Sequence, residues 1–138
     1  MRLFGMDLDS LFRAIAEVES DNGKTSPNIY QIDEGVDDTA SGSYVADVNR
    51  IVGRVAANGG RPGAVRFCHD DVYDRGRSEL MMFYYWYWWG MNYQNKTGNR
   101  VTPEVLARIH NGGPLGWKKA ATVRYWHKVA DRLLDGSR

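Results

Sequence analysis

The stretch that decides the fold is the aromatic run at residues 81–89, which reads Met-Met-Phe-Tyr-Tyr-Trp-Tyr-Trp-Trp. It is apolar on every side, and a helix of that kind is usually buried at the centre of a fold. Tyr, Trp and Phe also favour strands, so a strand is the competing interpretation. The flanking residues extend the segment beyond ordinary strand length, which favours a helix from about Asp74 to about Asn95.

Two helices are predicted before the aromatic run. Asp9 or nearby Asp7 can cap a first helix that runs to about Ser20, with apolar residues at helical spacing on one face. A second helix has Ser43 as its capping residue and ends at Gly59-Gly60. Between them, residues 23–42 are rich in Gly, Ser, Asp, Thr and Asn, which predicts a loop with a short extended piece at residues 29–32.

Two further helices are predicted after the run. Thr102-Pro103-Glu104 supplies a capping hydroxyl, a first-turn proline and an acid, which together start a helix that residues 111–114 end. The last helix spans about residues 121–134. The chain of 138 residues therefore fits one domain, residues 1–138, of mainly α (α+β) class. We expect about five helices, with a small irregular or hairpin insert between the first two.

Composition and charge exclude several classes of protein. The chain has 18 Lys and Arg and 17 Asp and Glu, a net charge of +1, so a nucleic-acid partner is not expected. Three His and the single cysteine, Cys68, lack metal-ligand spacing, and no metal or cofactor is expected. Residues 81–89 are too short for a helix that spans a bilayer, so no membrane insertion is expected. Residues 1–6 lack signal-peptide features, which predicts synthesis in a cytoplasm.

One glutamate falls on the apolar face of the first helix. With about 100° per residue, Glu19 lies about 20° from Leu8, inside the apolar stripe, whereas Glu17 lies at about 180°. Burial and the negative end of the helix dipole both favour a protonated carboxyl group. A protonated acid is what cleavage of a glycosidic bond requires. If the helix ends at Val18, Glu19 instead points into solvent or pairs with an arginine.

Three blocks of sequence, taken in order, resemble the lysozyme-like superfamily. Glu19-Ser20 followed by Tyr30-Gln31-Ile32 resembles its opening. Residues 107–117, which begin Ala-Arg-Ile-His-Asn-Gly-Gly-Pro, resemble invertebrate-type lysozymes and related phage or bacterial muramidases, and are similar to the Tyr-Asn-Ala-Gly-Pro motif of lytic transglycosylases. Residues 122–129 resemble the Thr-x-x-Tyr-x-x-x-Val helix that follows in both groups.

The resemblance implies a muramidase that hydrolyses the β-1,4 bond between N-acetylmuramic acid and N-acetylglucosamine, with Glu19 as the general acid. It implies a substrate-binding set of Tyr30, Gln31, His110, Asn111, Gly112 and Tyr125. The implied partner is peptidoglycan or a related N-acetylated polysaccharide, with virion proteins as further partners. The protein would reach the cell wall after release or as a virion component.

The second catalytic carboxylate departs from the pattern of the resemblance. Invertebrate-type lysozymes carry an aspartate before the Tyr-Gln-Ile strand, and no carboxylate stands at that place here. Asp47 follows Tyr-Val-Ala, which resembles the family's Tyr-Trp-x-Asp, and is the second catalytic candidate; the other downstream acids are Asp33, Glu34, Asp37 and Asp38. A single acid would suit a lytic transglycosylase. A non-catalytic saccharide-binding or virion structural relative, or a helical adaptor, are the remaining alternatives.

Overall fold

The computed structural model describes residues 1–33, 35, 43–58 and 65–136. The described chain is mainly helical, as the sequence predicts. Its helices are α1 (Asp9–Ser20), α2 (Tyr44–Asn58), α3 (Arg75–Thr97), α4 (Pro103–Gly112) and α5 (Ala121–Gly136). Two short strands, β1 (Arg2–Leu3) and β2 (Met6–Asp7), pair antiparallel before α1. One-turn 3₁₀ helices cover His69–Tyr73 and Gly116–Lys118.

The aromatic run forms the middle of α3, so the helix prediction is confirmed and the strand alternative is wrong. The Asp74 side chain accepts a hydrogen bond from the Arg77 backbone N–H at 2.7 Å and caps the helix start. Gly98 ends it in the left-handed region, at φ 73°. α3 packs on α2 and α4. None of the helices described is long and apolar enough to cross a membrane.

The core forms where α1 meets α3, α4 and α5. α1 buries Leu11, Phe12 and Ile15 on the stripe that its spacing predicts. Phe12 stacks on the fully buried Trp86 of α3, with ring centroids 5.5 Å apart. α5 packs against both α1 and α4, so the last helix closes the core over the first.

Two predicted helix caps are confirmed. The Ser43 hydroxyl accepts a hydrogen bond from the Ala46 backbone N–H at 3.1 Å, at the start of α2. The Thr102 hydroxyl accepts one from the Val105 backbone N–H at 3.3 Å, at the start of α4. Each cap satisfies a backbone donor that the first turn leaves without an intrahelical partner. The predicted stop of the second helix at Gly59-Gly60 lies outside the described residues.

The predicted extended piece at residues 29–32 is wrong, because this segment is a turn. The Asn28 side chain accepts from the Ile32 backbone N–H at 3.0 Å and donates to the Ile32 carbonyl at 2.7 Å, which closes the chain on itself. Gln31 between them takes a positive φ of 51°. The described part of the insert after α1 is therefore irregular, and the hairpin of this fold lies before α1 instead.

Candidate active site

Glu19 lies in the last turn of α1, and its side chain is 17% exposed. The imidazole of His110 lies beside it, with 4.0 Å between Glu19 Oε1 and His110 Nε2. The turn that follows is fixed by Ser20, whose hydroxyl donates to the Ile29 carbonyl at 2.6 Å. Glu19 is therefore sheltered at a helix junction and not open to solvent, and no arginine among the described residues forms an ion pair with it.

His110 lies in the last turn of α4 and links this helix to the loop after α1. Its Nε2–H donates to the Tyr30 carbonyl oxygen at 2.8 Å, and its side chain is 3% exposed. Burial lowers the pKa of His110, and the charge of Glu19 and the bond to Tyr30 offset this in part. The ring is therefore neutral near pH 7 with its proton on Nε2, because a carbonyl oxygen can only accept. Nδ1 is then a buried acceptor without a partner in the described structure.

Tyr125 brings α5 to the same carboxylate. Burial raises the pKa of the Tyr125 phenol, and the charge of Glu19 and hydrogen bonding to it raise that pKa further. The hydroxyl oxygen is buried. The raised pKa keeps the phenol protonated near pH 7, so that Tyr125 can act as a donor toward Glu19. Residues of α1, α4 and α5 converge here.

A groove of about 420 Å³ lies on the α2 side of His110. It is large enough for a small ligand or a sugar unit. His110 belongs both to this groove and to the Glu19 cluster. Glu19 is not among the groove's described lining residues, but its neighbour His110 is. The lining residues are Asp33, Ser43, Tyr44, Asp47, Arg50, Tyr85, His110, Gly113 and Pro114.

Asp47 is held in this groove by two donors. Arg50 donates to its Oδ1 at 3.2 Å, and the Trp89 indole donates to its Oδ2 at 3.3 Å. Beside it, the Tyr44 ring stacks on Tyr85 with centroids 4.3 Å apart. Burial raises the pKa of both phenols, and the charge of Asp47 adds to each shift. The buried Tyr44 hydroxyl has no hydrogen-bond partner in the described part of the chain.

The side chains of Tyr30 and Gln31 are not among the described lining of the groove. The Tyr30 ring is fully buried, its hydroxyl donates to Glu79, and Arg75 donates to that hydroxyl at 3.3 Å. Tyr30 therefore serves the site through its backbone carbonyl, the acceptor of the His110 bond. Gln31 is exposed, and its amide donates to the Asn28 carbonyl at 2.8 Å. Sugar contact by either side chain stays a prediction.

The turn after α4 borders the groove. Gly113 lines the groove. Its φ of 87° is a backbone conformation that favours glycine. Asn111 is exposed, and the Gly112 carbonyl accepts from Lys119 Nζ at 2.7 Å. Their contact with substrate also stays a prediction.

Of the other candidate acids, Asp33 lines the groove. Glu34, Asp37 and Asp38 lie outside the described residues. Within the ranges described, no group of three or more His, Cys, Asp or Glu side chains could hold a metal ion.

Two lining residues of the groove, Arg50 and Tyr85, and the Asp47 partner Trp89 are not predicted as site residues by the sequence. Arg50 stands three residues after Asp47, a spacing that places both on one helix face, so this pair could have been found. Tyr85 and Trp89 lie in the aromatic run, where core packing is the expected use. Their approach to Asp47 depends on how α3 packs against α2, and no local pattern encodes that.

Two curated relatives are similar to the chain over short segments. A lysozyme of Magallana gigas is 49% identical over 37 residues, which is 27% of this chain and 27% of that protein. Invertebrate-type lysozyme 6 of Caenorhabditis elegans is 58% identical over 26 residues, 19% of each chain. The matches thus span about a quarter or less of either relative. No family model and no solved structure matches. These segments support a lysozyme-like relationship.

Proposed function

We propose that the protein is a peptidoglycan-cleaving muramidase that hydrolyses the β-1,4 bond between N-acetylmuramic acid and N-acetylglucosamine, and that it acts on the cell wall. One observation carries the proposal. The Glu19 carboxylate is sheltered where α1, α4 and α5 meet, next to an imidazole that also lines a sugar-sized groove. The two short lysozyme matches support the same class of enzyme.

Glu19 is the proposed general acid. Cleavage needs a carboxyl group that protonates the departing sugar oxygen as the bond breaks. His110 and Tyr125 flank this carboxylate, and both are neutral side chains near pH 7. Neither neighbour provides Glu19 with a permanent positive charge. The two neighbours instead restrict where the carboxyl group can point.

Asp47 is the proposed second carboxylate. It lies on the groove, and the bonds from Arg50 and Trp89 fix its orientation. There it would attack the sugar directly or activate a water. A second acid on the groove favours hydrolysis over transglycosylation, which needs only one. Tyr44 and His110 line the same groove beside Asp47.

The Glu19→Gln variant tests the acid. We expect clearing of a bacterial cell-wall suspension to slow by at least about 100-fold, because the amide cannot donate the proton that the leaving oxygen needs. Glu17→Gln is the matched control. Glu17 lies on the same helix and pairs with Arg13 at 3.1 Å across one turn, so its loss costs only about 0.5 kcal/mol of stability. Equal clearing by wild type and Glu19→Gln, or none by wild type, would contradict the proposal.

The products separate the two cleavage reactions. Hydrolysis leaves a reducing sugar end, whereas a lytic transglycosylase leaves a 1,6-anhydro end; mass spectrometry of the released fragments distinguishes them. Asp47→Asn should abolish reducing ends while the protein remains folded. Anhydro ends that persist in Asp47→Asn would assign the chain to the transglycosylase class. Binding to walls without either product would assign it to a non-catalytic saccharide-binding class.

A further inference from the structure

Tyr30 connects the start of α3 to the His110 imidazole at the candidate active site. At one end of the residue, the hydroxyl donates a hydrogen bond to the Glu79 carboxylate at 2.5 Å and accepts one from Arg75 at 3.3 Å. At the other end, the backbone carbonyl accepts from His110 Nε2 at 2.8 Å. The ring between them is fully buried and packs edge-on against Phe12, with centroids 6.1 Å apart. Because a close-packed interior transmits displacements, a shift at the hydroxyl end reaches the carbonyl.

The Tyr30 carbonyl lies in a loop that is tied to the last turn of α1. Ser20, which follows Glu19 in the chain, donates its hydroxyl to the Ile29 carbonyl at 2.6 Å. The next carbonyl along the loop is the one that accepts from His110. Two successive carbonyls therefore hold the residue after Glu19 and the ring of His110. The position of this loop sets the 4.0 Å approach of the imidazole to the Glu19 carboxylate.

Glu79 and Arg75 lie outside the groove at Asp47. They are four residues apart on α3 and therefore share one face of that helix. Both line a separate small pocket of about 160 Å³, which has no residue in common with the described lining of the groove. Arg75 also donates to the Asn22 side chain at 2.7 Å, which ties the start of the loop to α3. Glu79 is thus placed to act on the candidate active site through Tyr30 and not by touching a ligand in the groove.

We propose that Glu79 is a positioning residue, which acts through Tyr30 to fix the orientation of the His110 imidazole beside the candidate acid. The Glu79 carboxylate accepts the hydroxyl proton and so holds the Tyr30 ring at one depth in the core. The carbonyl of the same residue then presents a fixed acceptor, which keeps the imidazole proton of His110 on Nε2. The role of this arrangement in cleavage rests on the proposed function of Glu19, whereas the placement of His110 does not.

The first measurement is independent of activity. NMR of protein labelled with ¹⁵N in histidine distinguishes protonated from unprotonated ring nitrogens, and the signals lost in His110→Gln identify this residue. We expect the wild-type ring to carry its proton on Nε2, and Glu79→Ala to move part of the population to the Nδ1–H tautomer. Tyr30→Phe keeps the buried ring, removes only the hydroxyl and should have the same effect. Glu79→Gln should keep the wild-type signals, because the amide oxygen still accepts a hydrogen bond.

The second measurement separates catalysis from binding, with initial rates on soluble peptidoglycan fragments. We expect Glu79→Ala to lower kcat about tenfold and to change KM by less than about twofold, because Glu79 lines no described part of the groove. Tyr30→Phe should lower kcat by a similar factor. The double variant should lose no more than either single variant, because both changes break one connection.

Asp9→Ala is the matched control. The Asp9 carboxylate lines the same small pocket as Glu79 but pairs with the N-terminal ammonium group at 3.4 Å. Its removal takes away a neighbouring negative charge without breaking a bond to Tyr30, so the His110 signals and kcat should stay at the wild-type values.

Wild-type His110 signals in both Glu79→Ala and Tyr30→Phe would overturn the inference, whether or not the protein is active. Losses of kcat that multiply in the double variant would also overturn it, because Glu79 would then act independently of Tyr30. Should Glu79→Ala fail to fold, Tyr30→Phe decides alone, since it preserves the ring in the core. If the wild type cleaves no peptidoglycan but the His110 signals change as expected, the positioning role stands and the proposed function fails.

Discussion

His110 is the residue at which burial, charge and hydrogen bonding meet. Its ordinary pKa of 6.5 is lowered in the folded protein, chiefly by burial. The unfolded chain therefore binds a proton at this residue more readily than the folded chain does. Stability contributed by the neutral ring is present above pH 6.5 and is lost as the pH falls below that value.

We expect the free energy of unfolding to depend on pH, and part of that pH dependence to require His110. Between pH 6.5 and the lower folded pKa, stability should fall by about 1 kcal/mol per pH unit in the wild type. His110→Gln should lack this part of the decline, because an amide does not titrate. Urea unfolding at pH 7.5 and 5.5 measures the difference, with the exposed His127 changed to Gln as control. A decline of the same size in His110→Gln would refute the assignment.

At the same scale, helical periodicity predicts the sheltered position of Glu19, whereas only the resemblance implies that His110 and Tyr125 belong to its site. The sheltering of Glu19 follows from helical periodicity, which is local and can be read from the residues before it. The bond from His110 to the Tyr30 carbonyl joins positions 80 residues apart. That contact depends on how α4 docks beside the loop after α1, so helical periodicity cannot predict that the Tyr30 carbonyl accepts a hydrogen bond from His110.

At the scale of secondary-structure elements, the 3₁₀ helix at Gly116–Lys118 packs closely against α4. Gly116 is buried, and an added Cβ atom would overlap the Arg108 backbone carbonyl oxygen. We expect Gly116→Ala to destabilise the protein by about 2 kcal/mol, because backbone must move to admit the methyl group. Chemical denaturation measures this change.

Gly53 offers the opposite case in the interior of α2. Nothing lies within 4 Å of the Cβ that alanine would add there. Gly53→Ala should therefore stabilise by about 0.5–1 kcal/mol through helix propensity. If Gly116→Ala and Gly53→Ala change the free energy of unfolding by similar amounts, the close contact at Gly116 does not determine the effect of the added methyl group.

The helices could be predicted from the sequence, whereas the short hairpin before α1 could not. Capping residues and apolar stripes lie within each helix, so α2 and α4 begin where their caps predict. The hairpin before α1 has two-residue strands, and its turn uses Phe4 and Gly5 at φ 51° and 78°. Phenylalanine is not an expected residue at a positive φ, so no turn signal marks this hairpin.

Over the whole molecule, the core depends on α3. Trp86 is fully buried and stacks on Phe12 of α1. Trp86→Ala should cost about 3–5 kcal/mol, a large share of a typical domain's stability. Tyr87→Ala, at the next position but on the exposed side, should cost about 0.5 kcal/mol or less. Urea unfolding followed by circular dichroism compares them. Equal losses would mean that α3 does not present one face to the core.

The parts of the site come from distant regions of the chain. Glu19 is on the first helix, Asp47 on the second, His110 on the fourth and Tyr125 on the last. Fragments as short as the segments shared with known lysozymes do not contain all four residues. A protease nick after α4 that let α5 depart would take away Tyr125 and admit water to Glu19, even with every remaining helix intact. The proposed activity therefore requires an unbroken chain.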